Sequence, residues 1–255
     1  MIIPSSSIGT VNSLRNYSTQ DLVCNVDFSN DYGFAGSTAY DLSSKKNQFS
    51  TPSGYVSVIS GSTAAPGYID LDGTSNYLLS NNAISELASS NAITIDAWFK
   101  VDTVSAAART LVANNTTTTT NPGFGIAPVQ STPGVYYCRG SMVSSLTTLL
   151  LLNPTTVTAN TGEWVNGFFN FEYNAAIGST YTASFYKTGG SVLTQSVFAS
   201  GVPFISTTPI HIGRRATAIQ YFDGQIGSIK IYNRILSSDE NSFNYNHSKT
   251  RYGHT

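Results

Sequence analysis

The chain has 255 residues, of which 40% are hydrophobic and only 11% are charged, and its formal net charge at pH 7 is −1. A chain without a surplus of basic residues has little with which to neutralise nucleic-acid phosphates or to hold an anionic membrane surface. The composition therefore argues against nucleic-acid partners and against membrane insertion. Although the length exceeds that of an average domain, all-β sandwiches of about 250 residues commonly form one unit.

The N-terminal segment, residues 1–20, is polar and has no hydrophobic periodicity. This pattern is typical of an arm before a folded domain, so we predict an arm at 1–20 and one domain at 21–255. The segment lacks a basic stretch followed by a long apolar stretch, so no secretory signal is expected. The longest apolar run, around Leu149–Leu152, is far shorter than the ~20 residues that span a bilayer.

Short strand-like runs follow one another through the rest of the chain. They lie at residues 22–28, 68–71, 77–79, 93–101, 110–113, 124–127, 134–139, 164–173, 181–187, 210–212 and 225–232. Runs rich in β-branched and aromatic residues, separated by Gly, Asn, Ser and Pro, are typical of a sandwich or barrel. Between them, Asp72-Gly73 and Asp223-Gly224 favour tight hairpin turns, and the polar segment 115–121 favours an exposed loop. The sequence thus predicts an all-β fold.

The strand at residues 93–101 carries the candidate ligand-binding residues. Its alternating pattern places apolar side chains on one face and Asp96 and Trp98 on the other. A sugar ring can stack on an indole while its hydroxyls bond a nearby carboxylate, so Asp96 and Trp98 are candidates for lining a glycan groove. Alternatively, another part of the sandwich covers Trp98, and Asp96 takes a buried hydrogen bond. We favour the covered arrangement.

One helix is predicted near the C-terminus. Ser237 and Glu240 have the spacing of a capping box, in which the serine hydroxyl and the glutamate carboxylate satisfy free amide groups at a helix start. Asp239 and Glu240 also suit the positive end of the helix dipole. The helix should run to about Lys249, before Gly253.

No residue pattern identifies a catalytic centre. Glycoside hydrolysis needs two carboxylates about 5–10 Å apart across the sugar bond. Two acidic residues on one strand face the same side when they are two positions apart, and no glutamate has such a partner. The glutamates are Glu86, Glu163, Glu172 and Glu240. His211, His247 and His254 lack the spacing of a zinc site, and no Gly-x-Ser-x-Gly sequence marks a nucleophile. We therefore expect no catalytic residues.

Metal binding has little support in the sequence. Asp70, Asp72 and Asp223 could offer oxygen ligands to calcium, but no cluster of three acids occurs and the Asp-Gly pairs are explained as turns. Cys24 and Cys138 lie within predicted strands and lack the neighbours of a metal site, so two buried free thiols are expected. We therefore expect no metal site and no cofactor.

Five motifs resemble one family when they are taken in chain order. They are LVCNVDFS at residues 22–29 with YDLS at 40–43, YIDLDGTSNY at 68–77, ITIDAWFK at 93–100, GEWVNG at 162–167, and FDGQIGSIKIYNRILSSDE at 222–240 with RYG at 251–253. This succession resembles concanavalin A-like lectin/glucanase domains of the laminin G-like type. Two positions depart from the family pattern: Ser44 replaces a turn glycine and Asn76 replaces a hairpin acid. The second departure weakens any inherited calcium site.

The resemblance implies an all-β, two-sheet antiparallel jelly-roll sandwich with one short C-terminal helix. Domains with this opening and this close are similar to virion proteins of tailed bacteriophages, which implies a non-catalytic structural subunit that decorates a capsid or forms a tail or neck appendage. The expected partners are other virion proteins, in an oligomer or in many copies on a particle assembled in the host cytoplasm. The alternative is a carbohydrate-binding adhesin that recognises host-surface glycans. The third hypothesis is a glucan hydrolase.

Overall fold

The computed structural model describes most of the chain. The described residues are 18–28, 33–52, 57–59, 61, 66–88, 90–115, 122–143, 149–189, 192–199, 207–216 and 219–255. Residues 1–17 of the predicted arm and residues 116–121 of the predicted polar loop lie outside these ranges.

Within these ranges the chain forms eighteen β-strands, one α-helix and two short 3-10 helices. The strands are β1 (Leu22–Asp27), β2 (Phe34–Ala35), β3 (Thr38–Ala39), β4 (Phe49–Ser50), β5 (Ser57–Ile59), β6 (Tyr68–Asp72), β7 (Leu78–Ser80), β8 (Ala92–Val101), β9 (Val112–Ala113), β10 (Gly123–Thr132), β11 (Val135–Val143), β12 (Leu149–Leu152), β13 (Thr158–Asn160), β14 (Trp164–Asn174), β15 (Gly178–Tyr186), β16 (Val192–Ala199), β17 (His211–Ile212) and β18 (Asp223–Tyr232). The α-helix is α1 (Ser238–Ser248), and the 3-10 helices span Ser85–Leu87 and Lys249–Tyr252. No helix of the described residues is long and apolar enough to cross a membrane.

The strands form two antiparallel sheets. The first sheet has eight strands, in the order β16-β15-β14-β8-β18-β6-β5, with β1 also paired to β18. The second sheet has ten, in the order β12-β11-β10-β9-β17-β7-β4-β3-β2, with β13 also paired to β11. The predicted all-β sandwich of two antiparallel sheets with one short C-terminal helix is therefore confirmed.

The main core lies between the two sheets. Ile95 and Phe99 of β8 and Phe169 of β14 belong to the same buried cluster as Phe124 and Tyr136 of the second sheet. The ring centroids of Phe99 and Tyr136 are 6.3 Å apart across the sandwich. Because burial of a large apolar side chain contributes roughly 1.5–3 kcal/mol relative to exposure, these contacts hold the sheets together.

The C-terminal segment covers the outer face of the first sheet. It begins with the predicted capping box: the Ser237 hydroxyl accepts a hydrogen bond from the Glu240 amide, and the Ser237 amide donates to the Glu240 carboxylate. Tyr245 of α1 and Tyr252 of the last 3-10 helix then pack with Trp98 in a second buried cluster. The middle of this face, around β8, β14 and β18, is consequently closed.

The last residues of the predicted arm lie against the same helix. The Ser18 amide donates to Asn244 Oδ1 at 2.8 Å, and the Tyr232 hydroxyl donates to the Ser18 carbonyl at 3.0 Å. Ser18 Oγ also joins the ion pair of Arg234 and Glu240 by hydrogen bonds to both side chains. The chain therefore enters the sandwich beside α1.

Candidate binding groove on the second sheet

The structure places Trp98 beneath the C-terminal segment. Its indole ring is fully buried, with centroids 4.2 Å from the Tyr252 ring and 5.9 Å from the Tyr245 ring. Its Nε1 donates to Ser248 Oγ at 2.8 Å. An indole that is fully covered by the chain itself offers no surface to a sugar.

Asp96 is buried beside Trp98. One carboxylate oxygen accepts from Asn166 Nδ2 at 2.7 Å, and the other accepts from Asn244 Nδ2 at 3.2 Å and lies 3.4 Å from Lys230 Nζ. A buried carboxylate needs such partners because its desolvation is costly. These contacts connect three strands and α1. The expectation that Asp96 and Trp98 line a glycan groove does not fit their burial, and they take the alternative, covered arrangement.

A cavity of about 200 Å³ lies on the outer face of the second sheet. Cys138 and Met142 of β11 point into the core, so Arg139 and Ser141 point outwards into the cavity. The remaining lining residues come from β10, β12 and two loops: Ala108, Ala127, Leu149, Leu151, Arg215 and Gln220. The lining is mixed: two alanines and two leucines supply apolar surface, and two arginines, a serine and a glutamine supply polar groups.

Strand register and one glycine shape this region. Ser141 lies opposite Gly125 of β10 on one side and opposite Leu151 of β12 on the other. A Cβ atom at Gly125 would lie 2.8 Å from Ser141 Oγ and 3.0 Å from Asn115 Oδ1. A larger residue at this position would therefore displace the polar groups beneath the cavity.

The Ser141 hydroxyl organises those polar groups. It accepts hydrogen bonds from Arg215 Nη2 at 2.5 Å and from Asn115 Nδ2 at 3.2 Å, and it donates to the Gly125 carbonyl at 3.3 Å. Arg215 Nε and Asn115 Oδ1 are buried without a hydrogen-bond partner among the described residues. Because buried polar atoms are normally paired and Arg215 lines the cavity, its Nε is a candidate for contact with a bound molecule.

Arg139 is held by Asn153, the residue that follows β12. Its Nε donates to Asn153 Oδ1 at 2.8 Å, and its other guanidinium nitrogens have no hydrogen-bond partner within the described ranges. Burial, together with the positive charge of Arg139, lowers the pKa of Arg215. The two guanidinium groups therefore bring like charges to one cavity.

Gln220 lines the cavity in an uncommon backbone conformation. Its φ is 60°, in the left-handed region that residues other than glycine seldom adopt. The conformation is held because the Thr110 amide donates to the Gln220 carbonyl at 2.7 Å and the Arg215 amide donates to the Ile219 carbonyl at 3.2 Å. Strained residues of this kind cluster at binding sites, where neighbouring contacts impose them.

The residues considered for catalysis and metal binding lie elsewhere. Glu86 forms an ion pair with Lys45, and Glu240 forms one with Arg234. Asp72 accepts amide hydrogen bonds from residues 74–76, and although burial opposes them, these bonds hold the pKa of Asp72 well below its ordinary value. Within the described ranges, no three His, Cys, Asp or Glu side chains are grouped so that they could hold a metal ion.

Sequence reasoning did not identify the residues of this cavity. Two signals were available: Arg139 and Ser141 share one face of a strand, and Arg214-Arg215 is a basic pair in a chain with few charges. The hydrogen bond between Arg215 and Ser141, however, joins positions 74 residues apart. No local pattern encodes a contact of that kind.

Two antiparallel sheets around one core, with a mixed polar and apolar cavity on an outer face, define a lectin-like jelly-roll sandwich. The chain belongs to the concanavalin A-like lectin/glucanases superfamily, whose sequence profile matches residues 72–240, more than half of the chain. The resemblance carried by the five motifs is thus confirmed at the level of the superfamily. No curated protein matches the chain.

Solved structures share the fold at low sequence identity. Domain 4 of AbnA, a GH43 extracellular arabinanase from Geobacillus stearothermophilus solved with arabinotriose, has a TM-score of 0.56 at 16% identity, over 88% of this chain and 98% of that one. The binding domain of Paraclostridial Mosquitocidal Protein 1 has a TM-score of 0.56 at 14% identity, over 91% and 53%. The binding domain of Botulinum Neurotoxin DC in complex with SialylT has a TM-score of 0.58 at 11% identity, over 92% and 52%. The chain therefore spans nearly all of the arabinanase domain and about half of each toxin domain.

Proposed function

We propose that this chain is a non-catalytic carbohydrate-binding module whose ligand occupies the cavity on the second sheet. The mixed lining carries the proposal, because it combines the apolar side chains of Leu149 and Leu151 with the polar groups of Arg139, Ser141 and Gln220. A sugar ring presents an apolar C–H face and a rim of hydroxyls. Sites that bind such molecules combine apolar walls with a few placed polar groups.

Proteins of the same fold support a saccharide ligand. The arabinanase domain was solved with arabinotriose and the neurotoxin binding domain with SialylT. The middle of the first sheet is occupied by the C-terminal cover, which favours the second sheet as the binding face in this chain.

The absence of acidic residues from the cavity lining supports a binding role without catalysis. A glycosidase places two carboxylates on either side of the sugar bond. The eight described residues that line the cavity include no Asp or Glu. A saccharide held here would be retained and not cleaved.

Calorimetric titration with a panel of oligosaccharides tests this proposal. We expect at least one of them to bind, and Leu151→Ser to weaken that binding roughly tenfold, because an apolar contact of leucine contributes on the order of 1–2 kcal/mol. Ile177→Ser is the matched control, since Ile177 is 64% exposed and lies on the turn between β14 and β15. Failure of every oligosaccharide to bind would overturn the proposal, and release of reducing sugar would overturn its non-catalytic part.

We also propose, as a second role, a structural subunit that assembles in many copies with other virion proteins on a particle. Its support is the edge strand β16, which pairs with β15 and with no second strand in the described part of the chain. Val192 and Phe198 of β16 are 47% and 64% exposed, and the strand contains no charged residue and no proline. Edge strands usually carry such residues to prevent pairing, so this edge suits contact with a second copy.

Light scattering after size-exclusion chromatography tests this second role. We expect the protein to be oligomeric and Phe198→Lys to make it monomeric, because a charge on the edge opposes strand pairing. Ile177→Lys places the same charge at an equally exposed site away from β16 and should leave the oligomer intact. A monomeric wild-type protein would contradict assembly through this edge.

A further inference from the structure

We infer that the saccharide bound in this cavity is acidic and that its carboxylate lies between Arg139 and Arg215. The inference rests on the proposed function, because it names the ligand class of the same site. The carboxylate belongs either to a uronic acid or to a sialic acid.

The charges at the cavity are not balanced within the described residues. Elsewhere in the described residues, Arg234 pairs with Glu240 and Arg251 pairs with Asp27. Arg109 and Arg214 also lack an ion pair there, but Arg109 donates to two backbone carbonyls and Arg214 lies over the Tyr77 ring. Arg139 and Arg215 have no carboxylate within 4.0 Å among the described residues. Outside the described ranges, Asp31 is the one acidic residue of the sequence. The described part of the protein thus keeps two cations together without a counter-charge of its own.

Arg215 is a buried cation. This side chain is only 6% exposed, and its one hydrogen bond within the described residues goes to a neutral hydroxyl, that of Ser141. A buried cation is costly unless it is paired, and a guanidinium cannot escape that cost by losing its proton. Burial and the nearby charge of Arg139 both disfavour the cation, as the lowered pKa of Arg215 shows. A bound anion removes this cost.

The shape of the guanidinium groups also matches a carboxylate. A guanidinium presents a planar fork of N–H donors that fits both oxygens of a carboxylate. Asn153 fixes the Nε side of Arg139 and leaves the other nitrogens of that fork without a protein partner in the described ranges. The unpaired Nε of Arg215 adds a further donor.

The size of the cavity limits what enters it. At about 200 Å³ it is smaller than the pockets of roughly 300–1,000 Å³ that enclose drug-sized ligands. It therefore accommodates one acidic sugar residue, with the remainder of the oligosaccharide outside. Leu151, which is 46% exposed, lies at the border where the next sugar would pass.

Matched pairs of acidic and neutral ligands test the inference by calorimetry. The pairs are oligogalacturonate with its methyl ester, and sialyllactose with lactose. We expect one acidic member to bind about 10-fold to 100-fold more tightly than its neutral partner, as for hydrogen bonds to a charged group. The pair that shows the difference identifies the uronic or the sialic source.

Two variants locate the effect at the cavity. Arg139→Gln should abolish the preference for the acidic member, whereas Arg251→Gln, which removes a positive charge at Asp27, should preserve it. Without ligand, the melting temperature of Arg139→Gln should equal or exceed that of the wild type, because one of two like charges is gone. If Arg139→Gln does not fold, Arg139→Lys keeps the charge without the fork and should reduce the preference.

The outcomes separate this inference from the proposed function. Equal binding of acidic and neutral members overturns the acidic ligand and leaves a carbohydrate-binding module. Binding of no member overturns both. An acidic preference that survives in folded Arg139→Gln overturns the site and supports a carboxylate contact elsewhere.

Discussion

The indole ring of Trp98 stacks on the phenol ring of Tyr252, with centroids 4.2 Å apart and ring planes at 12°. The contact joins the middle of the first sheet to the last turn of the chain. Gly227 of β18 makes room for it, because a Cβ atom there would collide with the Tyr252 hydroxyl. The pair therefore fastens the C-terminal cover onto the sandwich.

Replacement of Trp98 should destabilise the protein without affecting the binding cavity. We expect Trp98→Ala to lower the free energy of unfolding by about 3–5 kcal/mol, since it leaves a large buried void, and Trp98→Phe to lower it by less. Urea denaturation measures both, with Phe243→Ala on the exposed side of α1 as the control. Folded Trp98→Phe should bind saccharide like the wild type. Loss of binding in that folded variant would return the site to the first sheet.

The strand β8 shows what the sequence could predict and what it could not. Its alternation correctly separates the core-facing side chains from Asp96 and Trp98. The covering of Trp98 depends on Ser248, 150 residues later, so no local pattern distinguishes a buried indole from an exposed one. Composition and motif order thus predicted the sandwich, whereas long-range contacts determined its sites.

Some strands also escaped the sequence analysis. The strands β2, β3 and β4 have two residues each, too few to show any periodicity. β16 contains Thr194, Gln195 and Ser196 at its centre, so its sequence reads as a polar connection. It becomes a strand because its whole length pairs with β15.

The capping box gives a local test of the helix. Ser237→Ala removes the hydroxyl that accepts from the Glu240 amide and should cost about 1 kcal/mol of stability. Ser238→Ala is the control, because Ser238 follows the cap as the first residue of α1 and is exposed. Chemical denaturation of both variants checks the expectation. An equal loss in both would mean that the box does not stabilise the helix.

His211 should make stability depend on pH. It stacks on Tyr77, and burial followed by the charge of Arg214 lowers its pKa to about 4 from the ordinary 6.5. Between these values the unfolded chain binds a proton that the folded protein does not, so stability is present above pH 6.5 and falls as the pH drops towards 4.

His211→Asn should therefore flatten this dependence. Urea denaturation from pH 7 to pH 5.5 measures the slope. This range lies above the ordinary pKa of 4.5 of Glu240, below which the stability from its pKa, lowered to about 2 mainly by its hydrogen bond to Arg234, is lost. His247→Asn removes an exposed imidazole and serves as the control. A slope that is unchanged in His211→Asn would contradict the role of His211.

The two cysteines should report on global unfolding. Cys24 and Cys138 are free and buried, which confirms the prediction from sequence, and burial raises the pKa of both thiols. Because the thiolate is the reactive form and neither sulfur is accessible, a thiol reagent at pH 8 should modify neither in the native protein and both in urea. Ser238→Cys supplies an exposed thiol that should react at once and shows that the reagent is active. Each buried thiol lies in the core between the sheets. Labelling of either thiol under native conditions therefore requires the sandwich to open. Rapid reaction of the wild-type protein would contradict this packing.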